Sequence, residues 1–227
     1  MALNIVDQID DLVKVERVLV SVYDKSGLDS IIPALVEINP EIKFYSTGGT
    51  YTRLKSFLGT RFEANLIKVA DYTGQPEMQG GLVKTLDFKI YLGLLSETYN
   101  RDHKEDLNRC QAVELDMVIA NLYPFIEVIS RPATTAEMAR GNIDIGGPTM
   151  IRAAAKNFLR VAPLTEPADY SSIILELKNS GGFLTLKTRF ALARKAFELT
   201  AGYDRAIAAY LAEQDYQQLA SCYKTSN

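Results

Sequence analysis

Phe44-Tyr45-Ser46-Thr47-Gly48-Gly49-Thr50-Tyr51-Thr52-Arg53-Leu54 is the stretch on which the reading of this fold turns. A short apolar run ends in Thr-Gly-Gly-Thr, and a helical pattern follows over residues 50–58. Glycine serves two purposes at such a turn. It permits tight backbone geometry, and it lets backbone N–H groups approach an anion at the start of a helix. The same alternation recurs along the chain. Residues 18–22 (VLVSV) read as a buried, β-branched strand. A helix then opens at Ser26-Gly27-Leu28-Asp29 and runs to about Ile38, with Pro33 straining its middle. Further strands are expected over residues 42–46, 66–70 and 160–164, with a long central one over 113–122. Strand, helix, strand, helix argues for an α/β fold, a parallel sheet covered on both faces.

The last third changes character. Residues 184–213 read as helical throughout, broken only near Gly202. Phe190, Ala193, Ala196, Phe197 and Thr200 follow helical spacing, so one stripe is expected to pack on the rest. The simplest organisation is one domain over residues 1–227, with an N-terminal arm (1–15) and a C-terminal helical extension (about 184–214).

Composition narrows the function. Apolar residues make up 47% and charged residues 23% of the 227, which fits a soluble globular protein. The net charge is −3, and no basic stripe is present to attract nucleic acid. Cys110 and Cys222 lie far apart, as expected of a reduced, cytoplasmic protein. The first residues, MALNIVDQIDDLVKVE, lack the apolar core of a secretory signal, and no apolar run reaches membrane-span length. The single histidine, His103, sits in a charged run, and neither it nor the cysteines have metal-ligand spacing. Acid–base chemistry therefore falls to Lys, Asp, Glu or Tyr.

Ligands of parallel α/β sheets collect at the carboxyl ends of the strands. Five segments are candidates there. Residues 21–27 offer hydroxyls and Lys25, and residues 47–50 offer Thr47, Gly48, Gly49 and Thr50; together they make a monophosphate site. Residues 72–86 are rich in turn formers and end in Lys84 and Thr85. Asn121-Leu122-Tyr123-Pro124 closes the central strand, placing Tyr123 at the sheet's edge. Finally, Asn142-Ile143-Asp144-Ile145-Gly146-Gly147-Pro148-Thr149 runs into a helix carrying Arg152 and Lys156 on one face.

With these in hand, the chain resembles the IMP cyclohydrolase domain of the bifunctional AICAR formyltransferase/IMP cyclohydrolase family. The resemblance runs in order from about Arg17 to Glu213 through SVYDKSG, STGGT, DYTGQPEM, VKTL, NLYPF, NIDIGGPT and RAAAKN. It implies a methylglyoxal synthase-like fold and a stand-alone domain lacking the formyltransferase. It also implies closure of the pyrimidine ring of 5-formamidoimidazole-4-carboxamide ribonucleotide, with loss of water. The phosphate and ribose positions carried over are Tyr23, Asp24, Lys25, Thr47, Gly48, Gly49 and Thr50, with Lys84 and Thr85 adjoining. Asn121, Asp144 and Ile145 match base-contacting positions, and Gly146 is carried over as a further substrate-binding residue. Lys84, Tyr123, Asp144 and Lys156 match the catalytic group, with Lys156 as proton donor–acceptor. No metal or redox cofactor is implied. The expected ligand is a purine ribonucleotide, with a homodimer or a separate formyltransferase as the expected protein partner.

The chain departs from the family pattern in the third segment. Leu82, Asp87 and Phe88 replace arginine, histidine and proline, Tyr91 replaces a histidine, and Leu92 a small residue. Tyr23 replaces a serine beside the phosphate loop. Three other functions remain open at this point: a nucleotide-sensing regulatory module, a methylglyoxal synthase, and a scaffold for a formyltransferase chain. The joint presence of Asp144 and Lys156 favours the enzyme over the sensor.

Overall fold

A computed structural model describes residues 5–76 and 84–224. In chain order come β1 (Leu12–Lys14), β2 (Arg17–Ser21), α1 (Leu28–Ile38), β3 (Lys43–Ser46) and α2 (Gly48–Leu58). A 3-10 turn at Gly59–Arg61 leads into α3 (Phe62–Asn65), β4 (Leu66–Lys68) and α4 (Val69–Thr73). Next are α5 (Phe88–Leu95), α6 (Arg101–Arg109), β5 (Met117–Ala120), α7 (Phe125–Ile129), α8 (Ala136–Gly141) and α9 (Gly146–Lys156). β6 (Ala162–Leu164), α10 (Tyr170–Ser180), β7 (Phe183–Thr185), α11 (Leu186–Ala212) and α12 (Tyr216–Ser221) follow.

The main sheet has the order β4-β3-β2-β5-β6 and every described pair is parallel. Val18 sits opposite both Phe44 and Met117, which fixes the register of the three central strands. Alternation along each strand divides the core in two. Val18, Val20, Phe44, Met117 and Ile119 face one layer, shared with Leu28 and Ile32 of α1 and Leu177 of α10. Leu19, Tyr45, Val118 and Ala120 face the other, shared with Ile90 of α5 and Ala153, Ala154 and Ala155 of α9. The expected parallel sheet between two helical layers is the observed one. No helix among the described residues is long and apolar enough to cross a membrane.

Five local expectations need correction. The central strand spans only Met117–Ala120, and just before it Asp116 keeps backbone bonds to both neighbours, its N–H to the Arg17 carbonyl and its carbonyl to the Ala162 N–H (2.9 Å each). Its carboxylate receives the N–H groups of Glu16 (3.0 Å) and Arg17 (2.8 Å), and Arg160 lies 3.3 Å from its other oxygen. The strand at Leu66 stops at Lys68 and turns into α4. Pro33 sits within an unbroken α1, exposed, so the carbonyl it leaves unpaired faces water. α11 likewise continues through Gly202, and its buried face is Arg189, Leu192, Ala193, Ala196, Thr200 and Tyr203. Phe190 and Phe197, expected on that stripe, are 48% and 39% exposed.

Arg189 explains how the arm is held. It is 1% exposed, and its guanidinium donates to the carbonyls of Asp10, Asp11, Phe158, Leu159 and Leu184. β1 pairs antiparallel with β7 beside it, so residues 10–14 are tied to the start of α11. Burial lowers the Arg189 pKa, and five carbonyl acceptors replace the water it gives up.

Candidate active site

The chain passes from β2 outward to β3 and β4, then returns to place β5 on the other side of β2. Such a reversal opens a crevice beyond the carboxyl ends of the two strands that straddle it. A cleft of about 360 Å³ lies there. All the expected site residues line it except Asp24 and Lys156: Tyr23, Lys25, Thr47, Gly48, Gly49, Thr50, Lys84, Thr85, Asn121, Tyr123, Asp144, Ile145 and Gly146.

At one end, α2 points its amino terminus into the cleft. Thr47 is the N-cap, in extended conformation at φ −126°, and Gly48 turns the chain at φ +49°. A side chain at Gly48 would be strained by that φ and would place its Cβ 3.0 Å from the Lys84 ammonium. Lys25 reaches the same turn: its ammonium donates to the Tyr23 carbonyl (3.1 Å), and its Cε passes beside Gly49. A helix amino terminus flanked by two ammonium groups is an anion site. Lys84, expected both beside the phosphate site and in the catalytic group, lies toward this end, while Thr85 approaches Gly146 at the other.

At that other end stand Tyr123 and Asp144. The Asp144 carboxylate accepts the Gly147 N–H (2.9 Å), so it folds over the amino terminus of α9. Gly147 makes room for it, since a Cβ there would lie 2.5 Å from Asp144 Oδ2. Burial raises the Asp144 pKa, opposed by the N–H groups of Gly147, Tyr123 and Gly146. Burial and the Asp144 charge both raise the Tyr123 pKa, so its phenol stays protonated at neutral pH. Tyr123 is 45% exposed and meets the ring of Tyr23 edge-on, at 5.6 Å between centroids and 63°. Together they form one wall of the cleft mouth.

Several expected ligand contacts turn out to be committed to backbone. Asn121 Oδ1 accepts the N–H groups of Tyr23 (2.7 Å) and Asp24 (3.0 Å), and its amide donates to the Asp24 carbonyl (2.7 Å). Its side chain holds the loop after β2 and does not reach out as a base-reading group. The Thr50 hydroxyl, 5% exposed as a residue, donates to the Val22 carbonyl (3.0 Å) and ties the same loop to α2. Asp24 turns back to Ser26, accepting its N–H (2.9 Å) and hydroxyl (2.7 Å), bonds that lower its pKa. Lys156 is the last residue of α9 and exposed. At 1.5 Å per residue it lies about 15 Å along the axis from the cleft end of that helix. The motif match alone suggested a reacting lysine; the helix direction carries it away.

Of the departures from the family pattern, Leu82 lies outside the described residues, as do Gly80 and Gly81. Asp87 caps α5, accepting the Lys89 N–H (2.8 Å), and Phe88 is 65% exposed. Burial pushes the Tyr91 pKa up to about 12. Its hydroxyl lies by Thr149, whose own hydroxyl donates to the Ile145 carbonyl (2.6 Å), and it makes no well-formed hydrogen bond among the described residues. Sequence reasoning also missed Tyr203 of α11, whose hydroxyl accepts the Asp144 N–H. No local signal marks it, because a tyrosine at helical spacing reads as core.

A family model of MGS-like domains matches residues 27–149, and one of AICARFT/IMPCHase bienzymes matches residues 154–227. The first covers more than half of the chain, and the chain belongs to the MGS-like domain family. It is similar to the bifunctional purine biosynthesis protein PurH of Leptospira biflexa, 43% identical over 200 residues, covering 88% of this chain and 37% of that protein. The PurH of Neisseria meningitidis is 45% identical over 197 residues, covering 87% and 36%. The chain thus spans little more than a third of the curated relatives it matches. The crystal structure of ForH superposes with a TM-score of 0.71 at 29% identity, covering 86% of this chain and 97% of that one.

Proposed function

We propose that this chain is an IMP cyclohydrolase of purine biosynthesis. It closes the ring of 5-formamidoimidazole-4-carboxamide ribonucleotide and releases water. One observation carries the reading: a single cleft joins an anion cradle to a half-buried carboxylate beside a neutral phenol. The similarity to PurH supports the same pathway.

The chemistry follows from these groups. The phosphate sits at the start of α2 between Lys25 and Lys84. The carboxamide nitrogen then attacks the formyl carbon of the same molecule, so holding the two together supplies much of the rate. A C–N bond forms, and the nitrogen gives up a proton to Asp144. The formyl oxygen takes a proton from Tyr123 and becomes a hydroxyl. A second proton from the adjacent nitrogen accompanies that hydroxyl as water, and the ring C=N bond forms. A well-placed donor at the developing oxyanion is typically worth about 10²–10³ in rate. A formyltransferase must supply the substrate, and association with one, or a homodimer, belongs to the same reading.

The placement of Lys156 favours a second reading, a purine-nucleotide-binding regulatory or scaffold module. The deciding experiment mixes purified protein with the formamido nucleotide and follows IMP absorbance. Turnover lost in Asp144→Asn supports the enzyme. Tight nucleotide binding without any IMP formation by the wild type supports the module.

A further inference from the structure

Behind the Asp144 turn lies a small apolar cluster, separate from the two core layers, in which Phe125, Ala139 and Tyr203 are buried. Tyr203 comes from α11, 59 positions along the chain from Asp144. Its ring meets Phe125 edge-on, at 6.1 Å between centroids. Its hydroxyl accepts the Asp144 N–H at 2.8 Å and donates to the Asn142 carbonyl at 3.3 Å. One hydroxyl therefore holds the backbone on both sides of Ile143. The Asp144 side chain is anchored in the opposite direction, to Gly147 at the start of α9.

We propose that Tyr203 is a positioning residue, fixing the Asp144 turn so that its carboxylate stays beside Tyr123 in the cleft. This rests on the proposed cyclisation, in which Asp144 takes the substrate's proton. Three observations support it. Phe125 follows Tyr123 by two residues, so the Tyr203 ring packs on the segment that carries the phenol while its hydroxyl holds the turn that carries the carboxylate. A phenol in an apolar cluster is costly unless hydrogen-bonded, and burial keeps it protonated, so it retains the proton it donates to Asn142. Finally, every described residue lining the cleft falls between Ser21 and Met150. The region matching the bienzyme model lines nothing there, yet through Tyr203 it sets the position of the central carboxylate.

The test is Tyr203→Phe, which keeps the ring against Phe125 and removes only the hydroxyl. Displacing a reacting group by about an ångström costs about a hundredfold in rate. The expected result is a kcat lowered at least tenfold, with KM within about twofold and the melting temperature nearly unchanged. Amide exchange at Asp144 is expected to speed up at least tenfold in the same variant. Ile207→Ala, packed on the same cluster but with no hydroxyl to give the turn, is the comparison: it lowers the melting temperature and leaves kcat in place. Wild-type kcat and wild-type Asp144 exchange in Tyr203→Phe overturn the proposal. If the wild type itself forms no IMP, the functional reading fails and the exchange measurement alone decides: faster exchange upholds Tyr203 as the brace, unchanged exchange removes it.

Discussion

At the α2 end of the cleft, residues 47–50 ride directly on β3, whose register the sheet itself fixes through Phe44 and Tyr45. At the other end, where the proposed reaction takes place, Tyr123 and Asp144 stand on turns outside the sheet, backed by the three-residue buried cluster around Phe125. The first end needs little beyond glycines and two lysines, since an anion cradle is made of backbone N–H groups that any helix start provides. The second needs a carboxylate in one orientation and at one depth, and side chains from distant segments supply that. Binding here follows from the fold; orientation has to be added to it.

The sharpest way to break the contrast is Asp144→Asn. General base catalysis contributes about 10²–10⁴, so kcat is expected to fall by that range while IMP still binds, as isothermal titration would show. Gly147→Ala comes next. Its Cβ would press on Asp144 Oδ2, and a displacement of about an ångström predicts a loss of about a hundredfold in kcat with nucleotide binding kept. At the opposite end, Lys25→Met is expected to raise KM about tenfold to a hundredfold, the loss of one charged hydrogen bond of about 1.5–3 kcal/mol. Saturating substrate should restore most of kcat, the reverse of the Gly147 pattern.

A pH titration sharpens the comparison further. Burial raises the Asp144 pKa, so the acid limb of kcat is expected above the ordinary aspartate value of about 3.9. The same shift affects stability. A folded-state pKa above the unfolded one means that ionisation destabilises the fold, with no cost below the unfolded pKa and the full cost above the folded one. Asp144→Asn should therefore melt higher than wild type at pH 7, and the gain should vanish as pH falls through the raised pKa. The smallest effect is expected from Lys156→Ala, with kcat and KM within about twofold of wild type, because its place at the far end of α9 serves neither end of the cleft.

Much of this layout was legible in the sequence. Alternating β-branched runs and glycine turns predicted the parallel sheet, and the strand-end rule pointed to the loops that line the cleft. What stayed hidden depends on contacts between distant segments. The expected long strand over 113–122 spans only Met117–Ala120, and the Asp116 carboxylate before it takes up the N–H groups of Glu16 and Arg17. Arg189, of a residue type that is mostly exposed, is buried because five carbonyls from three parts of the chain converge on it. Thr50 and Asn121 looked like ligand groups by type and place, but type does not tell whether a nearby loop uses the same hydrogen bonds. Lys156 lies outside the cleft of this chain for a simpler reason: a motif fixes spacing along the helix, and the helix leads away from the cleft.

The Asn121 amide has a consequence for how the cleft treats its substrate. It stands two residues before Tyr123 and grips the backbone of Tyr23 and Asp24, just before Lys25. The loop that carries Lys25 and the loop that carries the phenol are thus tied together by three hydrogen bonds. In the proposed reaction such a cleft would work as a gauge of length: a ligand long enough to seat its phosphate would meet the phenol at its far end. A nucleoside lacking the phosphate would then lose turnover as well as affinity, since binding energy at one end is what sets the alignment at the other.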